Sequence, residues 1–127
     1  MPAERTVEWI HKAEEDWAVI GLIRAADPGT APDVLVFLCQ QCIEKYLKAL
    51  LCEEGLAVPR THDLASLLLE LLDRHPRLDR LEERCDELSH FAVAYRYPDE
   101  DATPEITDRA LEGVVEIRRA LRQLLDL

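Results

Sequence analysis

Apolar positions along the chain fall into five stretches with helical spacing, and none shows the alternation of a strand. The stretch Phe37 to Leu51, FLCQQCIEKYLKALL, stands out. It is apolar on almost every side of a helix, as expected of the buried middle of a domain. One narrow polar strip interrupts it: Gln41, Glu44, Lys45 and Lys48. These residues share a face through their three- and four-residue steps. A first helix is expected from Ala3 to Ala26, with Ile10, Ala13, Trp17 and Ile20 as its stripe, ended by Asp27-Pro28-Gly29. The second is expected from Thr30 to Glu54. Thr30 and Asp33 resemble a capping box, Pro32 lies in the first turn, and Gly55 is the stop.

At about 24 residues, or roughly 36 Å, the second helix matches the first in length. A short link makes the two an antiparallel hairpin. A third helix, capped by Thr61 or Asp63, carries Leu64, Leu67, Leu68, Leu71 and Leu72 and closes at His75-Pro76. A fourth, Leu78 to Tyr95, carries Leu78, Leu81, Cys85, Leu88, Ala92 and Tyr95. After a loop through Arg96-Tyr97-Pro98-Asp99-Glu100-Asp101, Thr103 caps the last helix, with Pro104 in its first position. Its buried face is Ile106, Ala110, Val114, Ile117, Leu121 and Leu124. The expectation is an all-α, five-helix, up-and-down bundle, one domain over residues 1–127, built on the long hairpin.

Charge narrows the functional classes. A net charge of −11 and a pI near 4.7 disfavour unspecific binding to nucleic acid, DNA above all, because such binding needs basic surface. RNA stays open through a local basic patch. No apolar run reaches the roughly 18 residues of a membrane span. The opening MPAERTVEW lacks the apolar core of a signal peptide, so a cytoplasmic location is expected. Cys39 and Cys42 have C-x-x-C spacing, but no second ligand pair accompanies them. They read as small packed hydrophobes, and no metal or cofactor is expected.

Three polar features carry candidate chemistry, each with a plainer alternative. The strip Gln41, Glu44, Lys45, Lys48 is either a polar pocket or a solvated edge with a Glu44–Lys48 pair. His62, in Thr61-His62-Asp63, either moves protons near neutral pH or shapes a turn. Arg96, between Tyr95 and Tyr97, either holds a phosphate or interacts with the last carbonyls of its helix. Asp99-Glu100-Asp101 reads as a solvated loop.

Together, Gln40-Gln41-x-x-Glu44-Lys45-x-x-Lys48-Ala49-Leu50, Thr61-His62-Asp63-Leu64 and Arg96-Tyr97-Pro98-Asp99 resemble the HEPN domain family in order and spacing. The resemblance implies a compact helical homodimer, often encoded beside a minimal nucleotidyltransferase in a two-component, toxin–antitoxin-like system. Many members are metal-independent ribonucleases with an Arg-x(4–6)-His motif; others bind nucleotides or partner proteins. Here Leu38 stands where many members have His, and no His follows Arg96 at the nuclease spacing. The implied ligand site is Gln41, Glu44, Lys45, Lys48, His62, Asp63, Arg96 and Tyr97, with Lys48 and Arg96 on phosphate and Tyr97 on a base. The competing reading is a ribonuclease with His90 as base and Arg84 as charge stabiliser, matching the motif as Arg84-x5-His90. Arg5-x5-His11 also fits the spacing. A third reading is a structural bundle without a ligand.

Overall fold

The computed structural model describes residues 3–27 and 29–127. Among the described residues five helices follow in order: α1 Glu4–Ala26, α2 Pro32–Glu53, α3 Leu64–Leu69, α4 Glu82–Ala94 and α5 Pro104–Leu124. A 3₁₀ segment, Pro76–Leu81, precedes α4, and no strand occurs among the described residues. The all-α bundle is therefore as expected. No helix among the described residues is long and apolar enough to cross a membrane.

The chain is built around α2. Leu35, Val36, Cys39, Cys42, Ile43, Tyr46, Leu47, Ala49, Leu50 and Leu51 are all fully buried on it. Residues on every side of a helix can be buried only when neighbours cover every side. α1 runs antiparallel along one flank. Thr6 meets Glu53, Ala13 meets Cys42, and Asp16 meets Lys45. α1 buries only Thr6, Ala13 and Ile20, seven residues apart, so a single edge faces α2. On the other flanks lie α5, α3 and α4. α4 and α5 are themselves antiparallel, with Arg84 near Glu112 and Arg109 on Glu87.

The ends of the helices show where local signals decide the structure and where tertiary partners prevail. Gly55 has φ +72°, Gly55 N–H donates to Cys52 O, and Leu56 N–H to Leu51 O. That pair of bonds is a Schellman stop, and only glycine takes its left-handed backbone without strain. Thr103 caps α5 by accepting from Ile106 N–H at 3.2 Å. The expected Thr30–Asp33 box does not form: α2 begins after Ala31 with no side-chain cap, and Asp33 Oδ1 accepts instead from Ala102 N–H at 2.7 Å. The acid thus ties the start of α2 to the loop before α5. Of the expected stop Asp27-Pro28-Gly29, Asp27 and Gly29 frame the end of α1, while Pro28 lies outside the described residues. The fourth helix starts later than its apolar stripe: Leu78 and Leu81 are buried from the 3₁₀ turn, not from α4. The 3₁₀ and α periods are close enough over one turn to bury the same pair.

Candidate functional site

Glu44 is the centre of a buried polar ladder on α2. Gln40, Glu44 and Lys48 stand at four-residue steps and are 2%, 4% and 7% exposed. Each polar atom placed there must find a partner or lose its hydration uncompensated. Gln40 Nε2 donates to Glu44 Oε1 at 3.2 Å and to His62 O at 2.8 Å. Gln41 Nε2 donates to Gln40 Oε1 at 2.8 Å, so the Gln40 amide is occupied at both ends. Lys48 Nζ donates to Glu44 Oε2 at 3.1 Å and sits 5.5 Å from the Trp9 ring centre, a cation–π contact. His62 Nδ1 lies 2.9 Å from Glu44 Oε1. Burial by itself pushes the Glu44 carboxyl up, but the bonds from His62, Lys48 and Gln40 outweigh it and hold the carboxyl below its ordinary value.

A carboxylate facing Nδ1 assigns the proton to that nitrogen. The His62 ring, 84% exposed, then presents Nε2 outward. The backbone before α3 is held to α4 by Leu64 N–H, which donates to Ser89 Oγ at 3.0 Å. This clamp brings the Thr61-His62-Asp63 block against the α4 end that carries Arg96. A cavity of about 250 Å³ lies between them, lined by Phe37, Gln40, Gln41, His62, Ser89 and Arg96, with Ala92 and Val93. The Arg96 guanidinium stacks 5.6 Å from the Phe37 ring centre. An oriented imidazole and an arginine fork on one small cavity suit an anionic group, with His62 able to accept or return a proton.

Residues from all three sequence blocks therefore meet. The family model of the HEPN domain matches residues 6–124. The chain belongs to the HEPN domain family. No curated protein and no solved structure matches it. In this HEPN chain, Gln41, His62 and Arg96 of the expected set line the cavity, and Glu44 stands behind His62. Lys48 faces Glu44 and Trp9, and Lys45 turns to α1, 2.6 Å from Asp16. Asp63 accepts from Ser66 Oγ, and Tyr97, 67% exposed, lies outside the cavity. Phe37, Gln40 and Ser89 were not expected there. Gln40 had a legible signal in its four-residue steps to Glu44 and Lys48; Ser89 had none, since its partner is a backbone N–H 25 residues away in sequence.

Arg84 and His90 both stand on the continuous helix α4 of this HEPN domain, six residues and so roughly 120° apart. Arg84 turns toward α5, 3.4 Å from Glu116 and 3.5 Å from Glu112, while His90 is exposed beside Phe91. One chain does not bring them together.

The HEPN bundle also holds a second polar cluster. Glu14 of α1 bonds Tyr46 of α2 and Arg118 and Arg122 of α5; Arg118 also stacks 4.1 Å from the Trp17 ring centre. Burial first, then the bond to Glu14, pushes the Tyr46 hydroxyl up to about 12. Its four residues come from three helices, so no single stretch of the sequence displays it.

Proposed function

We propose that this HEPN protein is a homodimeric partner of a minimal nucleotidyltransferase in a two-component, toxin–antitoxin-like system, and that the His62–Arg96 cavity takes the phosphate of a nucleotide. The observation that carries the reading is the meeting of Gln41, His62 and Arg96 in one cavity, with His62 oriented from behind by Glu44. Arg96 enters no ion pair among the described residues, so its fork is available to an anion. Phosphate contact falls to Arg96 and His62, because Lys48 is committed to Glu44. At about 250 Å³ the cavity is smaller than a typical pocket for a whole drug-sized ligand and fits one end of a nucleotide.

AMP titrated calorimetrically into the purified protein tests the site. Saturable binding that weakens about tenfold or more in Arg96→Ala is expected, since a charge-assisted bond is worth about 1.5–3 kcal/mol. Equal heats for the two proteins would remove the cavity from consideration. Light scattering at micromolar concentration should give twice the 14.5 kDa chain mass. A monomer there would count against the partner role.

A further inference from the structure

Between α1 and α5 runs a groove of about 680 Å³, lined by Trp17, Arg24, Val115, Arg118, Arg119 and Arg122. Its charge runs against that of the molecule. The chain carries −11 overall, yet four arginines converge here and the Glu14 cluster engages only Arg118 and Arg122. Arg24 and Arg119 are exposed and enter no ion pair among the described residues. Acids are plentiful enough to have neutralised them. In the adjoining stretch of the same groove Asp108, Glu112 and Glu116 stand beside the arginines, and Arg84 is paired with two of them. Arg24 and Arg119 line both stretches, and at the Trp17–Arg122 end the lining holds four arginines and no acidic side chain.

The fixed members are held in place. Glu14 orients Arg118 and Arg122 by direct bonds, and the Trp17 ring backs Arg118 at 4.1 Å. Arginines pinned in this way lose little further freedom when they meet an anion, which favours binding over solvation. Arg24 stands on α1 and Arg119 on α5, so an anion that meets both must offer oxygens to two sides of the groove, as a chain of phosphates does.

We propose that this groove is a second ligand site, distinct from the His62–Arg96 cavity, and that it takes a small polyphosphate, free or as the tail of a nucleotide. Arg24 and Arg119 make the new contacts, and Arg118 and Arg122 form the fixed back of the site.

The test is sodium tripolyphosphate titrated into the full ¹⁵N-labelled chain, read at the Trp17 indole and the arginine Nε–H resonances. Saturable shifts are expected at Trp17, Arg24 and Arg119, with the Trp9 indole unmoved. Arg24→Ala/Arg119→Ala should weaken binding about tenfold or more and leave the far-UV circular dichroism unchanged, since both side chains are exposed. Arg96→Ala should leave this affinity as it is, so the two sites stand or fall separately. No shift at Trp17, or equal affinity in the double variant, would overturn the proposal. ATP as a parallel probe separates the sources: affinity equal to tripolyphosphate identifies the bare anion, and tighter binding with Trp17 quenching identifies a nucleotide. Either result supports the site.

Discussion

Without the Glu44 carboxylate, Lys48 would be left charged and buried with only the Trp9 ring beside it. Breaking one side of a buried pair costs about 3–5 kcal/mol, more than the pair itself is worth. Glu44→Ala should lose stability on that scale in urea unfolding, and Glu44→Leu with Lys48→Met should recover most of it. The pH dependence has a definite sign. The folded Glu44 carboxyl lies below its ordinary value near 4.5. Its contribution is therefore complete above the unfolded value and is lost as pH falls through the folded one. Stability of the native protein should fall more steeply below about pH 4.5 than that of Glu44→Gln. At this scale the sequence named the right helix face but not its division. A solvated i,i+4 pair of Glu44 and Lys48 was one of two open readings; the pair exists, but it is buried, with His62 and Gln40 joined to it. Spacing places side chains around one helix and is silent about the loop that descends on them.

Helix ends show the same boundary between what is local and what is not. The stop at Gly55 and the cap at Thr103 were legible because each uses partners within a few residues. The Thr30–Asp33 cap failed because Asp33 found Ala102, 69 positions away in sequence. Two glycines with open space around them make a matched test of backbone effects. A methyl group at Gly21 or at Gly55 meets nothing within 4 Å. Gly21 lies inside α1, so Gly21→Ala should raise stability by about 0.8–1 kcal/mol through helix propensity. Gly55 has φ +72°, so Gly55→Ala should lower it by about 1–2 kcal/mol through left-handed strain. Thermal or urea unfolding of the two variants should move in opposite directions.

At the scale of the molecule, α2 is the one element among the described residues that packs against all four other helices. α1 rests mainly on α2 and is joined to α5 through Glu14. Both tryptophans, Trp9 and Trp17, lie on α1, so their fluorescence reports this helix while circular dichroism reports all five. If the hairpin and the Glu14 cluster hold α1 in the common core, the two urea transitions should coincide. A fluorescence midpoint well below the dichroism midpoint would show α1 leaving first. The burial of three thiols adds another record of opening. Burial raises Cys39 and Cys85 to about 12 and pushes Cys42 up as well, while Cys52 alone is half-exposed. The folded protein thus presents a single accessible thiol for attaching a probe, and the other three keep a chemical tally of each time the core comes apart.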